Sequence, residues 1–265
     1  MKASVERRGI PLRAVVPNAV TALALCTGLS GIRFAIAERW DLAIAMIMVA
    51  AVLDGMDGRI ARMLNGSSRF GAELDSLSDV IAFGVSPAVI LYLWSLQALP
   101  RFGWLFALAY AVCMALRLAR FNARIDVEDQ PHKSAGFLTG VPAPAGAALL
   151  LLPILLWLAS NRQWTGLQDY RLVAPWAAAI AFLVISSLAT FSWTSFRLRR
   201  RVRLEAIMFI AIVGGALLTA PWETLSVLAL LYLAAIPFSI LSYARVKRQR
   251  AGPSRRPEPP VGPAA

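Results

Sequence analysis

Apolar residues fill long blocks of the chain, and short polar segments rich in Arg, Gly or Pro separate these blocks. A helix needs about 20 predominantly apolar residues to cross the hydrocarbon core of a bilayer. Eight blocks approach this length, at about 15–36, 41–63, 73–97, 102–123, 140–160, 173–195, 204–220 and 222–243. Because the connections are short, consecutive helices are expected to pack as antiparallel neighbours. The pattern predicts an all-α, polytopic helical bundle in the membrane.

The composition agrees with this class. Hydrophobic residues make up 58% of the 265 positions, and the mean hydropathy is +0.62, which is too apolar for a soluble domain. Cys26 and Cys113 lie in apolar blocks and are interpreted as core residues rather than as a disulfide. The one histidine, His132, lies in a polar loop and cannot build a zinc site alone.

The N-terminal segment allows two interpretations. Residues 1–14 are basic, like the n-region of a signal peptide, and residues 35–37 resemble a small-residue cleavage site. Against cleavage, Pro17 and Asn18 would fall in the apolar region of such a peptide, and Arg33 would interrupt its end. A retained first membrane helix is therefore the preferred interpretation.

The basic residues predict the orientation of the helices. If the N-terminus is cytosolic, eight crossings place five segments in the cytosol: the N-terminus, 64–72, 124–139, 196–203 and the C-terminus. With the adjoining helix ends, these segments hold 22 of the 27 Lys and Arg residues, which fits the positive-inside rule. Both termini are therefore predicted to be cytosolic, and the net charge of +12 needs no nucleic-acid partner. The basic run at 197–203 either anchors this topology or binds anionic membrane lipids.

Four aspartates stand out because they fall within otherwise apolar helices. Asp54 and Asp57 are three residues apart near the end of the second predicted helix. Asp75 and Asp79 are four residues apart near the start of the third. On a helix, both spacings place the two carboxylates on one face, and the Gly- and Ser-rich segment between the pairs is typical of a turn. A helical hairpin is therefore predicted to bring all four carboxylates into one pocket at the cytosolic face.

These carboxylates need a cation, because they repel one another and an aspartate at the centre of a membrane helix costs about 2.5–3.5 kcal/mol. Oxygen ligands favour Mg²⁺, Mn²⁺ or Ca²⁺ over zinc, and two such ions sharing carboxylates are a common arrangement for phosphoryl transfer. Gly58 and Ala61, one turn after the first pair of aspartates, leave room for a diphosphate. Arg62 is placed to bind its phosphates. The alternative, a solvated acidic loop, would not place its acids inside apolar helices.

The spacing D-x2-D-G-x2-A-R-x8-G-x3-D-x3-D resembles the signature of the CDP-alcohol phosphatidyltransferase family. Eight residues fill its positions, namely Asp54, Asp57, Gly58, Ala61, Arg62, Gly71, Asp75 and Asp79. The resemblance implies two divalent cations, Mg²⁺ or Mn²⁺. It implies that Asp54, Asp57 and Asp75 hold the first ion. It also implies that Asp54, Asp75 and Asp79 share the second, and that Asp79 takes the proton from the attacking hydroxyl.

The same resemblance implies a nucleotide-binding set. Its members are small or polar residues of the first three helices, namely Asn18, Thr21, Gly58, Ala61, Arg62 and Gly71. Asn18 and Thr21 belong to a Pro-Asn-x-x-Thr sequence that resembles the opening of the family's first helix. A plain helix N-terminus explains the same residues and is compatible with this role.

A second stretch resembles the phosphatidylserine synthase branch of the family. The sequence R-L-A-R-F-N at 117–122 precedes a loop, and G-V-P-A-P-A at 140–145 opens the next helix, with T-F-S at 190–192 as a weaker match. The resemblance implies CDP-diacylglycerol and L-serine as substrates, and phosphatidylserine and CMP as products. The serine carboxylate needs a cation near the attacking hydroxyl. Arg120 is the first candidate, supported by Asn122, and the second choices are Arg117 and Lys133. The positive-inside rule alone also explains these basic residues.

The resemblance covers about residues 15–200, which would form a core of six helices. Residues 1–14 form a basic N-terminal segment, and residues 201–244 form two additional membrane helices. Residues 245–265 form a basic, Pro-rich tail that is predicted to be disordered. The expected location is the inner membrane of a bacterium, with the active site at the cytosolic face. Homodimers are common in the family, although the sequence identifies no dimer contact.

Two alternatives to this function stay open at the level of sequence. The first is the same chemistry with another acceptor, such as glycerol 3-phosphate, inositol phosphate or choline. The second is an ion or proton transporter, because intramembrane aspartates also mark such proteins. A transporter would need carboxylates along a path across the bilayer, whereas these four cluster at one depth.

Overall fold

The computed structural model describes residues 12–64, 66, 68–123, 137–139, 141–186, 189–191 and 203–250. Within these ranges the chain is helical apart from one short β-ladder. The helices are α1 (Leu12–Ile36), α2 (Trp40–Met63), α3 (Arg69–Asp79), α4 (Ser86–Trp94), α5 (Gly103–Ala123), α6 (Ala143–Leu150), α7 (Leu152–Ala159), α8 (Tyr170–Ile185), α9 (Arg203–Thr219) and α10 (Pro221–Arg250). Two 3₁₀ turns lie in the connections, at Leu96–Ala98 and Thr165–Gln168.

Three of the described helical stretches are long and apolar enough to cross a membrane, namely Val15–Ile36, Arg69–Trp94 and Gly103–Ala123. Shorter apolar helices follow at Tyr170–Ile185, Ile207–Thr219 and Pro221–Pro237. Helix α2 has sufficient length, but five charged residues lie on it. Large apolar side chains are exposed on several outer faces, including Leu108, Phe182 and Ile210, as expected for surfaces that contact lipid. The chain is therefore an integral membrane protein, and the count of eight spans stays a prediction.

The third predicted helix is continuous from Arg69 to Trp94, but it contains a π-helical stretch, Val80–Val85, between α3 and α4. Phe83 O in this stretch accepts a hydrogen bond from Tyr110 Oη of α5 at 3.1 Å. Helix α1 packs directly on the same stretch, since a Cβ at Gly28 would lie 2.8 Å from Ala82 Cα. π-helical turns change the phase of a helix, so this one sets how α3 is rotated relative to the buried α4.

The predicted helix at 140–160 is divided into α6 and α7. Pro153 lacks the N–H group that would bond to the Leu149 carbonyl one turn earlier. Trp176 of α8 compensates, because its indole Nε1 donates to Leu149 O at 3.0 Å. The break therefore creates a hydrogen bond between neighbouring helices.

The sequence predicted a sixth helix at 173–195, and its predicted end is wrong. Helix α8 ends at Ile185, and Ser186 turns into an extended conformation with ψ of 148°. Residues 189–191 then form strand β2 (Ala189–Phe191), which pairs antiparallel with β1 (Phe137–Thr139). The pairing explains the change, since Thr and aromatic residues fit a strand well when a partner strand is available.

Tryptophans gather at one end of the bundle. Those described are Trp40, Trp94, Trp104, Trp157, Trp164, Trp176 and Trp222, all at or near the ends of helices opposite the aspartates. Trp94 and Trp157 pack edge to face, with ring centroids 5.8 Å apart. Trp104 and Trp164 are exposed, and exposed tryptophans favour the interface between lipid and water.

Candidate active site

The predicted hairpin joins α2 to α3. Gly66 N donates to Ala61 O at 2.9 Å as the chain leaves α2. Ser68 then forms the N-cap of α3, where its Oγ accepts from Gly71 N at 3.0 Å. Serine is favoured at this position because its side chain satisfies an unpaired backbone donor. The turn thus brings the end of α2 and the start of α3 side by side.

Three of the four aspartates lie together on this hairpin. Carboxylate oxygens of Asp54, Asp57 and Asp75 lie within 4.8 Å of one another. Asp57 is buried, with 5% of its surface exposed, and the other two are half-buried. Asp79 lies outside this group of three, but its carboxylate lies close to that of Asp54. A donor set made only of carboxylate oxygens fits a hard divalent cation, which would also offset the repulsion among the charges.

A cavity of about 380 Å³ opens beside the carboxylates. It is lined by Pro17, Asn18, Thr21, Asp57, Gly58, Ala61, Arg62, Gly66, Ser68, Gly71, Ala72 and Asp75. All six residues of the predicted nucleotide-binding set are among them, although their role stays a prediction. Pro17, Gly66, Ser68 and Ala72 were missed as lining residues. Their positions beside signature residues were the only signal that the sequence offered for them.

Two glycines of the signature face this cavity differently. A Cβ at Gly58 would meet no atom within 4 Å, whereas a Cβ at Gly71 would lie 2.7 Å from Asn18 Oδ1. Gly71 therefore lets Asn18 of α1 approach the backbone of α3. Arg62 is exposed, and its Nε donates to Gly58 O at 3.0 Å, which holds the guanidinium at the rim of the cavity.

Helix α1 supplies a direct contact to the aspartates. Thr21 Oγ1 donates to Asp57 Oδ2 at 2.6 Å. The backbone carbonyl of Thr21 accepts from Ser78 Oγ of α3 at 3.3 Å. The family resemblance implied a position near the nucleotide for Thr21, and these two contacts were not predicted.

The predicted acceptor-binding residues of α5 fall in different surroundings. Arg117 is half-buried and close enough to Asp79 for their charges to interact. Its Nε and Nη1 have no hydrogen-bond partner among the described residues. Arg120 is exposed, and its Nη1 donates to Ile185 O at 3.1 Å. Asn122 Nδ2 donates to Ser76 Oγ, beside Asp75, at 2.7 Å. Lys133 lies outside the described residues.

A family model matches most of this architecture. The model for CDP-alcohol phosphatidyltransferase aligns with residues 14–185, from α1 to the end of α8. The chain belongs to the CDP-alcohol phosphatidyltransferase family. The predicted resemblance is thereby confirmed. A second model, CDP-alcohol phosphatidyltransferase 2, aligns with residues 201–237, where the sequence alone had suggested only apolar helices.

Curated relatives in the family are similar over most of the chain. A CDP-diacylglycerol–serine O-phosphatidyltransferase of Mycobacterium leprae is 39% identical over 235 residues, which are 89% of this chain and 77% of the relative. A protein of the same name from Mycobacterium tuberculosis is 37% identical over 236 residues, covering 89% and 81%. Another from Helicobacter pylori is 31% identical over 222 residues, covering 82% and 87%.

Proposed function

We propose that this protein transfers a phosphatidyl group from CDP-diacylglycerol to the hydroxyl of L-serine, giving phosphatidylserine and CMP. The observation that carries the proposal is the similarity to serine O-phosphatidyltransferases over 89% of the chain. The carboxylate cluster beside a cavity supports the same chemistry. An ion or proton transporter is not favoured, because the three carboxylates lie at one place on one hairpin.

The reaction requires a bond exchange at one phosphorus atom. The serine oxygen forms a bond to the phosphorus of the phosphatidyl group, and the bond from that phosphorus to the bridging oxygen of CMP breaks. Asp54, Asp57 and Asp75 would hold one divalent cation, and Asp54, Asp75 and Asp79 would share a second. Bound Mg²⁺ or Mn²⁺ supplies charge neutralisation for the diphosphate and for the departing CMP. Asp79 would accept the proton of the serine hydroxyl.

The cavity suggests how the chain binds the donor substrate. Gly58 and Ala61 leave its wall on α2 free of large side chains, so a diphosphate has room beside the carboxylates. Arg62 at the rim places a positive charge near that position. Asn18 and Gly71 close the opposite wall, where α1 meets α3. These residues would orient the cytidine nucleotide while the acyl chains stay in the bilayer.

For the acceptor, the contacts favour Arg117 over Arg120. The exposed Arg120 already donates to a carbonyl oxygen at the end of α8. Arg117 keeps two buried donors without a partner among the described residues, and it lies near enough to Asp79 for their charges to interact. Buried donors cost free energy unless they are bonded, and the carboxylate of serine would bond to them. A carboxylate bound there brings the serine hydroxyl towards the proposed base.

The membrane arrangement is part of the proposal. Eight spans with both termini in the cytosol would place the α2–α3 hairpin at the cytosolic face of a bacterial inner membrane. A cytidine nucleotide would then enter from water. Residues 15–200 would form the catalytic core, and residues 201–244 two additional helices. The basic segment at 1–14 and the tail at 245–265 would flank them in the cytosol.

The test is an assay of the purified protein in mixed micelles with CDP-diacylglycerol and one acceptor at a time. We expect release of CMP and formation of phosphatidylserine with L-serine, and much slower reactions with glycerol 3-phosphate, inositol phosphate and choline. The Asp75→Asn variant serves as the inactive control. Preference for glycerol 3-phosphate over serine would contradict the proposed acceptor, and CMP release that Asp75→Asn leaves unchanged would contradict the proposed site.

A further inference from the structure

The hydroxyl of Thr21 is committed to the aspartate cluster. Thr21 is 4% exposed, and its Oγ1 lies 2.6 Å from Asp57 Oδ2 and 3.1 Å from Pro17 O. A threonine hydroxyl has one proton to donate, and 2.6 Å is typical of a hydroxyl bonded to an ionised carboxylate. The proton is therefore directed at Asp57, and no donor of this side chain is left for a nucleotide.

Thr21 also connects the two helices that carry the aspartates. Its side chain contacts α2 through Asp57, and its carbonyl oxygen accepts from Ser78 Oγ of α3. Ser78 is 3% exposed and directly precedes Asp79 in the chain. One residue of α1 thus holds α2 and α3 at the level of their carboxylates.

From these contacts we infer that Thr21 is a positioning residue for the metal-binding carboxylate of Asp57, rather than a contact to the nucleotide. The inference rests on the cation-binding part of the proposed function. With one oxygen bound to Thr21, the Asp57 carboxylate cannot turn away from Asp54 and Asp75. Without that bond, a cation would have to order the carboxylate on binding. Loss of a group that orients a metal ligand typically weakens metal binding by about 10–100-fold.

Binding of Mn²⁺ to the purified protein in detergent, without either substrate, tests this role. Electron paramagnetic resonance measures the free Mn²⁺ and gives the Kd. Thr21→Val keeps the size of the side chain and removes its proton, so the Kd should rise about 10–100-fold. Thr21→Ser keeps the hydroxyl and should retain the wild-type Kd. If Thr21→Val does not purify as a folded protein, Thr21→Ala removes the same proton with a smaller side chain.

A matched control lies on the same helix. Thr27 Oγ1 donates to Ala24 O at 2.8 Å and has no contact with the aspartates, so Thr27→Val should leave the Kd unchanged. A double variant adds a second check. In an Asp57→Ala background, Thr21→Val should cause no further loss, because the group that it orients is absent.

Two results would overturn the inference, and they differ. Wild-type Mn²⁺ affinity in Thr21→Val, with a raised KM for CDP-diacylglycerol, would return Thr21 to the nucleotide-binding set and leave the cation site intact. Absence of Mn²⁺ binding in the unmodified protein would contradict the cation part of the proposed function, and this inference with it.

Discussion

The substitution Arg117→Lys tests the proposed binding of the serine carboxylate. Lysine keeps the positive charge but cannot reproduce the planar array of donors that a guanidinium offers to a carboxylate. Arg117 has two buried nitrogens, Nε and Nη1, without a partner among the described residues. The substitution should therefore remove at least one charge-assisted hydrogen bond to serine, which is worth about 1.5–3 kcal/mol. This loss corresponds to a rise of about 10–150-fold in the KM for serine.

The assay measures CMP release while each substrate is varied at a saturating concentration of the other. We expect the KM for CDP-diacylglycerol to change little, because Arg117 lies on α5 and does not line the cavity beside the carboxylates. Arg120→Lys is the matched comparison, since it makes the same change three residues later on the same helix. Thermal unfolding of both variants separates lost packing from lost binding.

Three results would refute the assignment of Arg117. A serine KM that rises in Arg120→Lys but not in Arg117→Lys would move the carboxylate to Arg120, the first choice from sequence. Equal effects on both KM values would mean that the residue supports the whole site. A loss confined to kcat would mean that Arg117 acts on the proposed base Asp79 rather than on the serine carboxylate, because the charges of the two residues interact.

Three further predictions concern the carboxylates, the reaction path and two of the glycines that line the cavity, Gly58 and Gly71. Asp57→Asn and Asp75→Asn should each lower kcat/KM by at least about 100-fold, since each removes a proposed metal ligand. Full activity of either variant would contradict the ligand assignment. EDTA should abolish wild-type activity, and Mg²⁺ or Mn²⁺ should restore it. Labelled CMP should not exchange into CDP-diacylglycerol without serine, because a covalent intermediate needs a free nucleophile paired with a base. Among the described residues, the hydroxyl that is bonded to a carboxylate of the site is Thr21 Oγ1, which is buried and held by the proposed metal ligand Asp57. Rapid exchange would indicate a covalent intermediate. Gly58→Ala should unfold at a higher temperature, because alanine stabilises a helix by about 1 kcal/mol relative to glycine and its methyl group would meet no atom. The same variant should raise the KM for CDP-diacylglycerol, because the methyl group fills part of the cavity. Gly71→Ala should raise the same KM by displacing Asn18, with little gain in stability, and unchanged KM values in both variants would place the donor substrate elsewhere.

The aspartate hairpin was predictable because its signal is local. The three- and four-residue spacings fix the faces of α2 and α3, and the Gly- and Ser-rich turn fixes their connection. The same reasoning gave the candidate cavity, since the signature residues lie within two turns of the carboxylates. Helical period and turn chemistry operate over a few residues, so one sequence contains them completely.

The features that sequence missed depend on packing between distant segments. The bond from Thr21 to Asp57 requires α1 to lie against α2 at one rotation. The end of α8 at Ile185 depends on a strand partner that comes about 50 residues earlier. Arg117 and Arg120 have equivalent positions in the sequence pattern, and only the neighbours of α5 make one half-buried and the other exposed. None of these contacts leaves a local pattern that could be recognised in advance.

The tryptophans at the end of the bundle opposite the aspartates link the site to the thickness of the bilayer. Trp94 lies nineteen residues after Asp75 on one continuous helical stretch, which at about 1.5 Å per residue spans about 28 Å. The hydrocarbon core of a bilayer is about 30 Å thick. When the exposed tryptophans of that end, Trp104 and Trp164, lie at one interface, the carboxylates therefore reach the other, at the depth of the diphosphate of a lipid substrate. In a bilayer that is much thicker or thinner than this span, the tryptophans and the carboxylates would no longer both lie at their interfaces. Lipids with much longer or shorter acyl chains would thus slow the enzyme without contacting its active site.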